Sequence, residues 1–144
     1  MKLRGLSTLA VITAFAPAVW AGSAVEVVIR PTPANTGNII VALCTEESFP
    51  HEERCPVRKI VPAKEAERAI SLATPAPGRY AVIAVADVNG NNKLDTNLIG
   101  IPKEPVGVSR NPALRFGPPK FDETAVELND SPQQLTIDLK RVEK

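Results

Sequence analysis

Residues 79–86 read RYAVIAVA, the most apolar run beyond the first 21 residues of this 144-residue chain. Apolar side chains occupy both the odd and the even positions of the run. Because successive side chains of a strand point to opposite faces of a sheet, the pattern predicts a central strand with both faces covered. The segment PAPG at residues 75–78 has the composition of a turn and places the start of the strand there.

Shorter strand patterns lie on both sides of this run. Residues 25–30 alternate apolar and polar side chains, as a half-buried strand does, whereas residues 38–45 are apolar on both faces. Since 14 prolines interrupt the chain and no long helical period appears, we predict an all-β fold, a single antiparallel β-sandwich of about seven short strands. Residues 63–66 fit either a helical turn or an irregular segment. Further strands are predicted at residues 58–61, 68–73, 124–128 and 135–139.

The N-terminus has the parts of a secretory signal peptide. Lys2 and Arg4 form a positive start, residues 6–16 are apolar, and small residues surround a cleavage point near Ala21. We predict a cut after Ala21, with Ala24 as the alternative, so that residues 1–21 are removed and 22–144 form one periplasmic or secreted domain. An anchor that is never cleaved is the other interpretation. The apolar run is too short to span a membrane, so no integral membrane segment is predicted after processing.

Charge and cysteine content narrow the function classes. The formal net charge is +1 and no basic block occurs, so the chain lacks the electrostatic footprint of a nucleic-acid-binding protein. Cys44 and Cys55 are the only cysteines, and in an exported protein they predict a disulfide that contributes about 2–3 kcal/mol. A redox pair is the alternative, although the spacing is not C-x-x-C. His51 is the only histidine, which leaves too few groups for a triad or a zinc site, and no catalytic residue is predicted.

A polar loop follows the central strand. Residues 87–105 read DVNGNNKLDTNLIGIPKEP, with oxygen-bearing side chains at alternate positions. Calcium takes about six to eight oxygen ligands, so the spacing predicts a Ca²⁺ loop. The order of an EF-hand is followed only part-way, because Leu98 stands where its last position requires glutamate. The alternative is a loop of Asx turns whose side chains bond the local backbone. The predicted calcium ligands are the side chains of Asp87, Asn89, Asn91 and Asp95 and the carbonyl of Lys93.

The segment after this loop is rich in glycine and proline, and a polar group of side chains lies within it. Long ordered loops on sandwiches often carry binding sites. One interpretation is therefore a small binding pocket; the other is a structured loop that prolines hold in place. The candidate binding residues are Glu104, Ser109, Arg110 and Asn111.

Two ordered motifs carry a family resemblance. Residues 77–111 read PGRYAVIAVADVNGNNKLDTNLIGIPKEPVGVSRN, and residues 116–128 read FGPPKFDETAVEL. This stretch resembles the uncharacterised exported bacterial family called domain of unknown function 2141. The resemblance implies an immunoglobulin-like or transthyretin-like β-sandwich outside the cytoplasm and implies no established activity. The chain departs from the family pattern at Ala86, where histidine is usual, and at Val108, where an aromatic residue is common.

Two functional hypotheses follow from these residues. The first is an exported, non-catalytic binding or accessory module that uses residues 87–111, with Ca²⁺ stabilising the loop and an unknown protein or small molecule as partner. The second is a small metal-dependent or hydrolase-like extracytoplasmic enzyme that uses the same carboxylates. Substitution of Asp87 and Asp95 separates them: the first predicts a loss of stability or binding, the second a loss of turnover with the fold intact.

Overall fold

The computed structural model describes residues 23–30, 36–66, 69–113 and 117–142. The predicted signal peptide at residues 1–21 lies outside the described residues. Within the described ranges, no helix has both the length and the apolar character needed to cross a membrane.

One sheet has three strands, in the order β4-β1-β8. The central strand, β1 (Ala24–Arg30), pairs antiparallel with β4 (Ile70–Ala73) and parallel with β8 (Gln133–Asp138). Alternate residues of β1 are buried, as the alternating sequence pattern predicts. The sheet therefore presents one apolar face, which must be covered by another layer.

The second sheet has five strands, with β3-β2-β5-β6 in order and a further strand against β5. Its centre is formed by β2 (Asn38–Cys44) and β5 (Gly78–Asp87), which pair antiparallel along seven residue pairs, from Asn38 opposite Asp87 to Cys44 opposite Ala81. The other strands are β3 (Val57–Pro62), β6 (Val106–Val108) and β7 (Val126–Leu128). Because β2 and β5 are both interior, their apolar runs are buried on both faces.

The main core fills the space between the sheets. Val25, Val27 and Ile29 of β1 meet alternate residues of β2 and β5, among them Ile39 and Val82. The sheets are also joined at one edge, because the chain beyond β8 pairs Lys140 with Val106 through two backbone hydrogen bonds of 2.9 Å. The arrangement is a sandwich of two sheets with a closed seam.

A second apolar cluster lies on the outer face of the five-stranded sheet. Ile40 and Ala42 of β2 and Ile83 and Val85 of β5 belong to it. This face is covered by loops. One is residues 45–54, called here the disulfide loop, and the other is residues 88–105, called the polar loop. Loops cover this outer face less completely than a packed sheet would, so a depression can remain between them.

The predicted disulfide is confirmed. Cys44 at the end of β2 is bonded to Cys55, with their Cα atoms 4.5 Å apart. Between them, a 3-10 turn at Glu52–Arg54 closes the disulfide loop against the outer apolar cluster. The bond therefore holds the loop that covers this face.

Removing the disulfide is expected to lower the free energy of unfolding by about 2–3 kcal/mol, because the unfolded chain gains the freedom of an 11-residue loop. Urea denaturation of the double variant Cys44→Ala/Cys55→Ala measures the loss. The wild-type protein with reductant is the control, and both should unfold at the same lowered midpoint. Equal midpoints for the variant and the oxidised wild type would contradict the expectation.

The all-β prediction is confirmed, and three local features differ from it. The β1–β8 pair is parallel, whereas antiparallel sheets were expected. Phe121–Thr124 form a short helix, α1, so β7 begins at Val126 rather than at Thr124. Residues 63–65, for which a helical turn and an irregular segment were both open, form a 3-10 turn. The segment at 106–108, predicted as irregular, is strand β6. Eight strands are present in the described part of the chain.

Candidate functional site

A groove of about 670 Å³ opens on the outer face of the five-stranded sheet. Ile83, Val106 and Val108 come from the sheet, whereas Phe49 and Ile101 come from the disulfide loop and the polar loop respectively. Prolines of three segments complete the lining, at positions 50, 102, 118 and 119. The size and the apolar lining are typical of small-molecule sites.

The polar loop that forms one wall is built on buried carboxylates. Asp87 ends β5 with a relative exposure of 0%. Its Oδ1 accepts a hydrogen bond from the backbone N–H of Asn91 at 3.1 Å, and its Oδ2 accepts one from Asn92 at 2.8 Å. Both oxygens are thus used to turn the chain directly after the strand, and burial of the carboxylate depends on these donors.

Glu104 performs the same task at the base of the polar loop. It is buried, and its Oε1 accepts the N–H of Val88 at 3.0 Å while its Oε2 accepts the N–H of Asp95 at 3.2 Å. The carboxylate therefore bridges the ascending and the returning parts of the loop. Glu104, which was predicted as a binding residue, therefore holds two backbone segments of the polar loop together.

A third buried carboxylate connects the two walls of the groove. Glu52 of the disulfide loop forms an ion pair with Arg58 of β3 and accepts the backbone N–H of Leu94 at 3.3 Å. Arg58 in turn donates to the carbonyl of Asn92. The disulfide loop, β3 and the polar loop are therefore held together by one charged pair, in which Glu52 is buried and Arg58 is partly buried.

Two of the predicted calcium ligands, Asn89 and Asn91, converge on the carboxylate of a third, Asp95. Asn91 Nδ2 donates to both oxygens of Asp95 at 2.9 and 2.8 Å, and Asn89 Nδ2 donates to Oδ2 at 2.6 Å. Asp87 does not point into this cluster, because both of its oxygens take backbone amides. Asn89 and Asn91 also accept the N–H of the second residue after each, at 3.2 Å. These are the bonds of Asx turns.

Among the residues that the structure describes, no group of three or more aspartate, glutamate, histidine or cysteine side chains is arranged to hold a metal ion. Any cation in the polar loop would depend on asparagine oxygens and on Asp95. Lys93, whose carbonyl is a predicted ligand, donates its own N–H to Asn91 Oδ1.

Acid is expected to weaken the polar loop through Asp95. Hydrogen bonds from Asn89 and Asn91 hold the pKa of Asp95 below its ordinary value of 3.8. A carboxylate with a lowered pKa in the folded state adds stability above its unfolded pKa, and this stability is lost as pH falls through the folded pKa. The melting-temperature difference between wild type and Asp95→Asn should be constant above about pH 5 and shrink below it. A difference that stays constant into strong acid would contradict this.

The remaining candidate binding residues lie beyond β6 and fasten the fold. Ser109 is buried, and its Oγ accepts the N–H of Val82 at 2.9 Å while donating to the carbonyl of Thr124 at 2.6 Å. Arg110 donates to the carbonyl of Asp122 at 3.0 Å. Asn111 bonds the backbone of β8 through both ends of its amide. Neither these three residues nor Glu104 lines the groove.

The polar loop contains a hairpin, in which Thr96 pairs with Pro102, and the tip of this hairpin exposes two aliphatic side chains. Leu98 and Ile99 stand at its tip with relative exposures of 106% and 78%. Asn97 holds the tip by accepting the N–H groups of Ile99 and Ile101 on its Oδ1, at 3.0 and 2.9 Å. The tip lies next to groove-lining residues, since Gly100 and Ile101 follow it directly.

Reasoning from the sequence missed the groove. Its lining comes from the disulfide loop, the polar loop, β5, β6 and residues 117–119, which are far apart in sequence. The available signal was the valine pair around Gly107, because alternate apolar residues indicate a strand with one covered face. That signal was masked by the prolines and glycines around it.

One comparison with known proteins gives a match. The family model described as an uncharacterized protein conserved in bacteria (DUF2141) matches residues 27–136, more than half of the chain. No curated protein and no solved structure matches. The matched range includes every strand that lines the groove and the whole polar loop.

Proposed function

Because the chain belongs to the bacterial family called domain of unknown function 2141, which carries no established activity, we propose from the geometry that it is an exported, non-catalytic binding or accessory module. Its binding surface is the apolar groove between the disulfide loop and the polar loop, so that the polar loop at 88–105 acts as a wall. The partner is a small molecule or an apolar segment of a protein.

The groove is the observation that carries this proposal. A cavity of about 670 Å³ lined by aliphatic side chains and prolines lies within the size range of ligand sites. Water in such a groove is released when an apolar ligand enters, which favours binding by roughly 25 cal/mol for each Å² of apolar surface that is covered. The exposed pair Leu98 and Ile99 extends apolar surface beyond one rim.

Two further observations support parts of the proposal. The Cys44–Cys55 disulfide fits an oxidising compartment, in agreement with the predicted signal peptide. The two carboxylates of the enzyme alternative are already engaged: Asp87 is buried and accepts backbone N–H groups with both oxygens, and Asp95 accepts the side-chain amides of Asn89 and Asn91. Acid–base work requires a carboxyl group that can reach a substrate proton, which favours a binding role over the hydrolase-like alternative.

A neutral ligand with an alkyl chain tests the proposed function. Decanol is expected to bind the purified protein with a heat change that calorimetry measures. Ile101→Asp, which places a charge in the lining, should abolish the signal. The matched control is Ile99→Asp, two residues away at the exposed tip and outside the lining, and it should bind as wild type does. Absence of binding to wild type would overturn the proposal, and loss in the control alone would move the site to the hairpin tip.

We also propose that Ca²⁺ stabilises the polar loop. Asp95 would be its charged ligand, and the Asn89 and Asn91 oxygens would join it once their amides rotate and give up the Asx-turn bonds to the backbone N–H groups of Asn91 and Lys93. Few charged ligands imply a dissociation constant of roughly 10⁻⁴ to 10⁻³ M.

Calcium is therefore expected to raise the melting temperature relative to the same protein in EDTA. At one hundred times the dissociation constant, linkage predicts about 2.7 kcal/mol of added stability. Asp95→Asn should remove the response, and Asp130→Asn, an exposed acid of a different turn, should retain it. Identical melts in EDTA and in about 10 mM calcium would refute the calcium proposal and leave the groove unaffected.

A further inference from the structure

The charges around the groove indicate the class of its ligand, an inference that rests on the proposed function. We infer that the groove binds an amphipathic anion, an unbranched fatty acid whose alkyl chain lies along the apolar lining and whose carboxylate lies beside Lys93. At the groove, the acids Glu52 and Glu53 already have cationic partners, whereas Lys93 has no anionic partner among the described residues.

The acidic groups of the lining are already paired. Glu52 forms its ion pair with Arg58 and accepts the Leu94 N–H. Glu53, which is exposed, has Arg54 Nε at 3.8 Å and His51 Nδ1 at 3.7 Å from its Oε1. A cationic ligand would therefore compete with Arg58 at Glu52 and, more weakly, with Arg54 at Glu53.

Lys93 is the cation that remains. It lines the groove, and among the described residues no carboxylate lies within 4.0 Å of its Nζ, the limit for an ion pair. The nearest acid in sequence, Asp95, is close enough for Lys93 to help lower its pKa, but its oxygens accept the amides of Asn89 and Asn91. A ligand anion would supply the missing partner at the rim.

The lining favours an alkyl chain as the apolar part of the ligand. Ile83, Val106, Val108 and Ile101 are aliphatic, and Phe49 is the one aromatic residue among the lining residues that the structure describes. Its ring is already engaged edge-on with Phe121, at 6.0 Å between centroids. Flat aromatic ligands gain most from ring contacts, whereas an alkyl chain gains from area alone.

The experiment compares three single-chain ligands with the same chain length. Decanoate, decanol and decyltrimethylammonium, all kept below their aggregation concentrations, are titrated into the purified protein by calorimetry. We expect decanoate to bind up to about fivefold more tightly than decanol, as a partly exposed ion pair allows, and decyltrimethylammonium to bind most weakly. The advantage of decanoate should decrease in high salt.

Variants then assign the advantage to one side chain. Lys93→Gln should make decanoate bind like decanol and leave decanol binding unchanged. Lys103→Gln is the matched control, because Lys103 is also an exposed lysine of the polar loop but does not line the groove. Decanoate binding that is insensitive to Lys93→Gln would overturn the inference.

The outcomes separate this inference from the proposed function. Equal affinities for all three ligands would overturn the anionic class and keep the groove as a binding site. Binding of none of them would overturn both. If the protein binds vesicles of phosphatidylcholine with phosphatidylglycerol but not monomeric decanoate, the surface recognises a membrane and the inference is wrong.

Discussion

Replacing Glu52 by alanine is expected to lower the free energy of unfolding by about 3–5 kcal/mol, the range for breaking a buried charged pair by removing one member. Glu52 is 3% exposed. Without its carboxylate, the Arg58 guanidinium loses its counter-charge in a partly buried position and the Leu94 N–H loses its acceptor. The Leu94 N–H would then lack a partner, and the Arg58 guanidinium would keep only its bond to the Asn92 carbonyl and no counter-charge.

Denaturation in urea measures this loss, and the neighbouring residue provides the control. Glu53→Ala removes an exposed carboxylate whose contacts to Arg54 and His51 are long, so it should cost no more than about 1 kcal/mol. The double variant Glu52→Ala/Arg58→Met should recover much of the loss, because it leaves no unpaired charge. A cost for Glu52→Ala as small as that of Glu53→Ala would show that the pair does not hold the two loops together.

Gly37→Ala is expected to cost at least about 3 kcal/mol, through backbone strain and steric overlap together. Gly37 has φ +76°, a region that other residues occupy at a cost. A Cβ there would also overlap the backbone carbonyl oxygen of Asp87, at the point where the end of β5 lies beside the start of β2. Because the obstacle is backbone rather than a flexible side chain, relief requires the two central strands to separate.

Gly90→Ala isolates the contribution of strain. Gly90 has φ +72°, and nothing lies within 4 Å of the position that its Cβ would take. The two variants thus share the same unfavourable dihedral region, and Gly90→Ala should cost only about 1–2 kcal/mol. Thermal melts of both variants give the comparison. Equal losses would mean that overlap with Asp87 contributes nothing.

The central strands could be predicted because their sequence pattern has one explanation. RYAVIAVA is apolar at every position after its first, and only a strand covered on both faces satisfies that pattern within a chain this rich in proline. The disulfide could be predicted equally well, since two cysteines in a chain that is predicted to be exported allow one pairing. The structure confirms both.

The pairing partners of the outer strands could not be predicted. β1 and β8 lie at opposite ends of the chain, and their parallel register depends on the core between the sheets rather than on any local signal. β6 has only three residues, with Gly107 at its centre, so its strand propensity is low. Tertiary packing decided both elements.

The sequence predicted the polar loop that forms one wall of the groove, and it did not predict the groove itself. The polar spacing at residues 87–95 correctly indicated a tight loop in which side chains converge. The role of the carboxylates differed from the expectation, because Asp87 and Glu104 accept backbone amides from residues that share no spacing rule with them. The groove arises from segments that only the fold brings together.

The bridge formed by Glu52 and Arg58 gives the groove a collective character. In the polar loop, the amide of Leu94 depends on Glu52 and the carbonyl of Asn92 on Arg58, and Glu52 belongs to the disulfide loop on the opposite wall. Local opening of either segment should therefore release the other, so that both exchange their amide hydrogens with solvent as one cooperative unit. The groove would then be either fully formed or fully open, and states in which only one of the two loops is folded would be rare.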